Sequence, residues 1–424
     1  MDSEHREAIK VYPATKPTES SKPTCLDLFA GAGGLAVGFR AADWAVVAGN
    51  DIDQDAGATF RLNFPEAVFF EGPISELTAE QILRRCGLEV GALDCLIGGP
   101  PCQSFSYNNH QRSEKGERAR LFEHYLRIVR GLRPKTIVME NVPGILTIGN
   151  GSVVDEIKAA LEDGSLGYKT YLSVLSAEEY GTPQVRRRVF IVASRIGDPK
   201  ELLPAAAYQS ADPRKRVVQM GKRLKRIVTV QDAIGDLIPI PNGGGELVMK
   251  RGHAPAFCAF QRSARKGTRT LYNHVCHGLT KVNLDRIVHV PEGGNWRDIP
   301  RDLLPAGMKR ANLTDHTKRY GRLDRKGLAS TLLTKCDPHW GAYIHPTQDR
   351  TISVREAARL QGFPDTFRFA GTSLGKHYEQ VGNAVPVPVA RAIGGAVLRH
   401  LRSAHEFMEE ATDERPEDVV DLAA

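Results

Sequence analysis

Short apolar runs alternating with helix-like segments between Thr24 and Ser194 constrain the fold of this chain more than any other feature. The runs are Cys25-Leu-Asp-Leu-Phe29, Ala45-Val-Val-Ala48, Leu93-Asp-Cys-Leu-Ile97, Thr136-Ile-Val-Met139 and Val189-Phe-Ile-Val-Ala193. Each reads as a buried strand, whereas segments such as Leu121-Phe-Glu-His-Tyr-Leu-Arg-Ile-Val129 place apolar residues at helical spacing. Alternating strand and helix implies an α/β fold with a doubly wound, mainly parallel sheet. On such sheets ligands sit beyond the carboxyl ends of the strands.

The rest of the chain differs in texture. Residues 1–23, with Pro13, Pro17 and Pro23 in a Ser/Thr/Lys mixture, are expected to form a mobile tail. Beyond the first part of the catalytic domain (24–194) the alternation is lost, basic residues cluster in Arg214-Lys-Arg216 and Lys222-Arg-Leu-Lys-Arg226, and Gly243-Gly-Gly245 and Gly293-Gly294 mark turns. A smaller domain is therefore expected at 195–350, with a return segment at 351–376. The chain then re-enters the first domain at 377–404 and ends in an acidic tail, 405–424. Hydrophobic content of 41% supports a substantial core, and the net charge of +7 permits a polyanionic partner. No stretch approaches the roughly 18 consecutive apolar residues of a membrane span. The first residues lack the apolar core of a secretory signal, so a cytoplasmic protein is expected. Seven cysteines without a Cys-x-x-Cys pair argue for reduced thiols.

Three groups of residues carry chemistry. Asp27-Leu-Phe-Ala-Gly-Ala-Gly-Gly-Leu35 follows the first strand, and Gly31, Gly33 and Gly34 permit a tight turn and close approach of a ligand to backbone N–H groups. Asp51 follows the second strand, where a carboxylate accepts hydrogen bonds from ribose hydroxyls. Ala36 replaces the last glycine of a dinucleotide fingerprint, which favours a nucleoside cofactor. Next, Gly98-Gly-Pro-Pro-Cys102 ends a strand with residues that continue neither helix nor ladder. Polar Gln103, Ser104 and Ser106 suit an exposed Cys102 thiol, and the cationic stretch 107–120 suits a loop closing over a polyanion. Finally, Glu140-Asn-Val142 follows a strand, and burial would raise the pKa of Glu140. Arg186 and Arg188, two apart in an extended segment, would point to one side and hold a pyrimidine oxygen or a phosphate.

Together these residues resemble the cytosine-C5 DNA methyltransferase family, in the family's order: Asp27–Leu35, Asn50–Asp53, Gly98–Ser106, Glu140–Val142, Gln184–Arg188 and Gly382-Asn-Ala-Val-Pro-Val-Pro388. The resemblance implies a Rossmann-like S-adenosylmethionine-dependent methyltransferase domain with an inserted target-recognition domain. Phe29, Gly31, Gly33 and Leu35 would surround S-adenosylmethionine, Asp51 would hold its ribose and Asn383 would close the pocket. Ala30, Gly34, Ile52, Ile74, Gly99, Pro101, Leu121 and Ala384 would complete it. Cys102 would attack C6 of a cytosine flipped out of double-stranded DNA, Glu140 would contact N3, and Arg188, with Arg186 near it, would contact the base. The resemblance also accommodates a cognate restriction endonuclease as functional counterpart and a monomeric state. One departure stands out: Pro73 occupies the place of an acidic residue that contacts the adenine amino group in the family, leaving backbone or Ile74 packing to hold adenine.

Base-reading side chains are expected in the 253–296 region, amid phosphate-neutralising lysines and arginines. His274, Cys276, His277, Cys336 and His339 match no standard zinc spacing, and no metal is expected. A tRNA cytosine methyltransferase of the same fold is the nearest rival, but the Cys-Phe-Thr tripeptide of those relatives is absent from the small domain. An NAD-dependent oxidoreductase would share the glycine loop without needing Pro-Cys-Gln and Glu-Asn-Val. A catalytically inactive DNA-binding relative need not keep Cys102 and Glu140.

Overall fold

The computed structural model describes residues 9–15, 22–101, 115–212 and 223–413. Cys102, the stretch 103–114, the basic cluster Arg214-Lys-Arg216 with Lys222, and the tail beyond Asp413 lie outside the described residues. Eight strands form one sheet: β1 (Lys10–Tyr12), β2 (Thr24–Leu28), β3 (Ala45–Asp51), β4 (Val68–Glu71), β5 (Cys95–Gly98), β6 (Thr136–Asn141), β7 (Lys169–Ser176) and β8 (Arg187–Ser194). Their order is β1-β4-β3-β2-β5-β6-β8-β7. Pairing is parallel from β4 through β6, while β8 runs antiparallel to both neighbours and β1 antiparallel to β4.

The expected strands are continuous apolar runs because both sheet faces are covered. On one face Cys25, Val46, Ile97, Val138, Phe190 and Val192 join a core with helices α1 (Gly34–Ala41) and α2 (Gln54–Asn63). On the other, Leu26, Val47, Leu96, Ile137 and Ile191 pack with α3 (Ala79–Cys86), α4 (Lys115–Leu132) and α5 (Ser152–Glu162). Three strands escaped the sequence reading. β4 is only four residues long, and β7 is a half-exposed edge whose residues are mostly partly buried.

The third, β1, corrects the expectation that residues 1–23 form a mobile tail throughout. Lys10–Tyr12 pair with Phe69–Glu71 and cover the edge that β4 would otherwise expose. The Tyr12 hydroxyl donates to Glu71 at 3.4 Å, and the Arg61 guanidinium covers the Tyr12 ring at 3.9 Å.

The small region is built from α6 (Val230–Ile234), β9 (Gly245–Lys250), α7 (Ala259–Arg265), β10 (Thr270–Val275) and α8 (Lys281–Ile287), with β9 and β10 as an antiparallel pair. It has its own apolar cluster of Ile287, Val290, Trp296, Ile299, Met308, Tyr320 and Ile344. The chain returns through α9 (Val354–Leu360) and α10 (Leu374–Asn383) to α11 (Val387–Asp413), which packs on α1. Helix α11 carries the acidic stretch onward as helix to Asp413, where a frayed tail was expected from residue 405.

Helix α9 is the joint between the two parts. Ser353 caps it in a reciprocal box with Glu356. Three arginines are buried here. Arg350 binds both oxygens of Glu356 (2.7 and 2.8 Å), Arg355 donates to the Tyr272, Pro364 and Phe367 carbonyls, and Arg359 binds Asp365 (2.5 and 2.7 Å) and Asp236 (3.2 Å). Replacing Arg359 by Met should leave two buried carboxylates short of a partner. Because Arg251 and Arg265 still reach them, the expected loss is about 3 kcal/mol, the low end for breaking a buried pair. Urea unfolding of the variant checks this, and an unchanged midpoint would contradict it.

Candidate active site

Strand order reverses between β2 and β5, so the crevice of this sheet opens beyond Leu28 and Gly98, which are register partners. The strands approach so closely that a Cβ on Gly98 would lie 2.5 Å from the Leu28 carbonyl oxygen. After Leu28 the chain turns at Phe29 (φ 55°), Gly31 (φ 52°) and Gly33 (φ 92°), and α1 begins at Gly34. A Cβ on Gly34 would meet the Val385 oxygen at 2.8 Å and the Ala384 Cβ at 3.0 Å. The two ends of the sequence pattern, the glycine turn and Asn383-Ala-Val385, are thus in contact, with Asn383 exposed at the end of α10.

Asp51 ends β3 beside this turn. One of its oxygens accepts the Gly31 N–H at 2.7 Å and the other the Asp53 N–H at 2.8 Å. Each retains a lone pair for a hydroxyl. Burial raises the Asp51 pKa against the pull of these amides. Ile52 follows with 63% of its surface exposed, an apolar face at the mouth of the crevice. Ala30 and Leu35 are buried in the first core, while Phe29 and Leu121 are half-buried against the second. Beneath the turn, the buried Asp27 carboxylate makes no well-formed hydrogen bond among the described residues. Burial pushes its pKa up to about 8, against the opposing pull of the Ala36 backbone N–H.

Across the switch point, β5 leads into Gly99, Pro100 and exposed Pro101, the residue immediately before Cys102. Glu140 sits near the end of β6, and a Cβ on Gly99 would lie 3.1 Å from its Oε2. Asn141 secures the same segment by donating from Nδ2 to the Pro100 carbonyl at 2.8 Å. Because β8 is antiparallel, its first residues lie at the carboxyl edge of β6, and Arg188 Nε meets Glu140 Oε1 at 2.6 Å. Burial raises the Glu140 pKa, opposed by the charges of Arg188 and Arg186.

Arg186 is the correction at this site. Its guanidinium is buried and donates to the Leu332 carbonyl (2.9 Å) and the Gly382 carbonyl (2.7 Å), so it braces the edge rather than offering itself to a base. Burial, with Arg188 beside it, lowers its pKa to about 9. Gln184 does similar work, donating to Gln361 and accepting the Leu332 N–H. The sequence reading missed Asn141 as a positioning residue, although its place after Glu140 in Glu-Asn-Val marked it. Pro73 has a structural counterpart: the adjacent acid, Glu71, is consumed by Arg61 at 2.6 Å, and Ile74 is buried in the second core. Trp296, named in the expected base-reading region, is buried in the small region's own cluster. His274 is committed to Ser353 and the Ile238 carbonyl. Among the described residues no group of three or more His, Cys, Asp or Glu could hold a metal ion.

A glycine turn, a carboxylate at the end of β3 and a partly buried Glu–Arg pair meet at one edge of a Rossmann-like α/β sheet of the methyltransferase type, with a smaller region inserted. The chain belongs to the C-5 cytosine-specific DNA methylase family, whose model matches residues 24–399. It is 33% identical to the type II methyltransferase M.XorII of Xanthomonas oryzae pv. oryzae, over 91% of this chain and 87% of that protein. It is also 33% identical to DNA (cytosine-5)-methyltransferase 4 of Arabidopsis thaliana over 89% of the chain, which spans only 29% of that relative. Among solved structures, a DNA modification methyltransferase encoded within an E. coli prophage superposes with a TM-score of 0.67 at 27% identity, covering 90% of this chain and 99% of that one.

The family implies S-adenosylmethionine, and the residues present fit it. Open space above Gly31, the two acceptor oxygens of Asp51, the apolar face of Ile52 and the N-terminus of α1 suit a nucleoside with a charged amino-acid tail. Asp51→Ala should weaken S-adenosylmethionine binding roughly 10- to 100-fold, the value of charge-assisted hydrogen bonds. Calorimetric titration measures this, and unchanged affinity would remove Asp51 from the cofactor site.

Proposed function

We propose that this chain methylates C5 of a cytosine extruded from double-stranded DNA. The observation that carries the reading is the partly buried Glu140–Arg188 pair, set against Gly99 and tied through Asn141 to Pro100, two residues before Cys102 in the sequence. In this reading the Cys102 thiolate adds to C6 of the pyrimidine. Addition pushes electrons toward N3 and O2, where the Glu140 carboxyl donates a proton and Arg188 holds the oxygen. Carbon 5 becomes nucleophilic. S-adenosylmethionine, held by the Asp51 edge, supplies an electrophilic methyl group. With S-adenosylhomocysteine as co-product, a solvent base then takes the C5 proton, N3 returns its proton to the Glu140 carboxylate and Cys102 leaves as thiolate, which restores the aromatic ring and the enzyme. Arg186 and Asn141 act as positioning residues, fixing the strand ends on which Arg188 and the Cys102 segment sit.

Incubation with methyl-labelled S-adenosylmethionine and either plasmid DNA or tRNA tests the proposal. Label in DNA recovered as 5-methylcytosine is the expected result. Label confined to tRNA, or in neither, overturns it. Mapping the modified cytosines then gives the recognised sequence.

A further inference from the structure

The segment from Leu333 to Tyr343 is a loop with both ends fixed beside the catalytic edge. Leu332 presents its carbonyl to Arg186, the Leu333 N–H donates to the Tyr343 hydroxyl at 2.8 Å, and Gly382 lies against the Leu333 oxygen so closely that a Cβ would sit 2.2 Å away. The excursion between these ends is internally braced. Asp337 Oδ1 accepts the His339 backbone N–H and faces its ring, the Trp340 N–H donates to the Asp337 carbonyl, and the Tyr320 hydroxyl meets His339 Nε2 at 2.7 Å.

At the tip of this rigid loop Trp340 is 55% exposed. It is the outlier among the chain's three tryptophans, since Trp44 and Trp296 are buried. Arg319 lies over its ring at 5.7 Å and backs it. Together with exposed Lys335 and with Asn283, Asp337 and Glu379, Trp340 lines a cleft of about 750 Å³, where Lys376 is held by Glu379 and Asp53. An exposed, pre-oriented indole backed by Arg319 suits stacking on a nucleobase, with exposed Lys335 in the same cleft to meet a phosphate.

We propose that Trp340 stacks on a base of the duplex next to the extruded cytosine, offsetting part of the unstacking cost and biasing which sequences are methylated. This rests on duplex DNA being the substrate. Because the ring is exposed and makes its contacts at the loop tip, removing it should leave folding intact.

The test uses the full chain, plasmid DNA whose methylated sites have been mapped, and duplex oligonucleotides carrying one such site. Tryptophan emission should fall on adding the duplex, and the fall should vanish in Trp340→Ala. That variant should keep the wild-type thermal midpoint while kcat/KM drops roughly 5- to 100-fold, the range for losing one base–aromatic stack. Trp340→Phe should recover most of the loss. A mismatch at the target pair should shrink it, because less stacking then has to be broken. Unchanged kcat/KM in Trp340→Ala on DNA the protein methylates, or emission indifferent to that DNA, overturns the proposal and leaves the methyltransferase reading standing. Quenching by duplex without any methyl transfer supports the stacking and sinks the proposed reaction instead. A response to tRNA alone overturns both.

Discussion

Cys102→Ser is expected to reduce methyl transfer on the order of 10⁴-fold or more, as loss of a covalent nucleophile does, while leaving S-adenosylmethionine affinity at its wild-type value. The asymmetry follows from the architecture. In the proposed reaction the cofactor contacts belong to the β2–α1 turn and the end of β3, whereas position 102 comes in sequence after β5, the strand across the switch point. A serine hydroxyl ionises far less readily than a thiol and is a poor nucleophile toward a pyrimidine ring. The chain leading to position 102 is anchored by Asn141 on Pro100, and exchanging one side-chain atom at 102 leaves that anchor in place. Turnover on plasmid DNA and calorimetric titration with S-adenosylmethionine together check this. Near-full turnover would mean that another group attacks, and joint loss of turnover and cofactor binding would mean that position 102 shapes the whole crevice.

How much of this was legible in the sequence depends on what each residue had to satisfy. The central strands were readable because burial on two faces leaves only apolar side chains, as in Leu96-Ile97 and Val189–Ala193. The glycine turn was readable because left-handed backbone at Gly33 and the contact of Gly34 with Val385 admit little else. Glu140 and Arg188 were readable as neighbours only through the family resemblance, since Arg188 lies at the start of its strand and reaches the carboxyl edge of β6 because β8 runs antiparallel.

Residues whose partners lie far along the chain were opaque. Arg186 and Arg188 look alike in sequence, yet one is spent on carbonyls 146 and 196 residues away and the other on Glu140. The burial of Arg350, Arg355 and Arg359 was opaque too, because nothing local announces that Asp236 and Asp365 will be buried beside Arg359. Likewise β1 is a three-residue strand, and only the open edge of β4 makes it one. The loop ending at Tyr343 belongs to the same class: its exposed tryptophan is visible in sequence, but its tether to the catalytic edge is not.

The second large effect concerns Glu140, and its sign can be worked out. In the proposed reaction the group acts with its proton on, because the carboxyl donates to N3 as charge develops there. Burial raises its pKa, and the charges of Arg188 and Arg186, which pull the other way, do not cancel that rise. The protonated form is present below the folded-state pKa and is lost as pH rises through it. kcat/KM should therefore fall on the alkaline side through an ionisation above the ordinary carboxylic range. Glu140→Gln keeps the shape and a hydrogen-bond donor but cannot transfer a proton. It should lower kcat by about 10²- to 10⁴-fold, the usual contribution of a positioned acid, and abolish that alkaline limb. S-adenosylmethionine affinity should be untouched, since the Asp51 contacts lie on the far side of the glycine turn. A pH profile in which the limb persists in Glu140→Gln would assign the ionisation to another group. A variant with near-normal kcat would show that Arg188 alone suffices to stabilise the charge driven onto the ring.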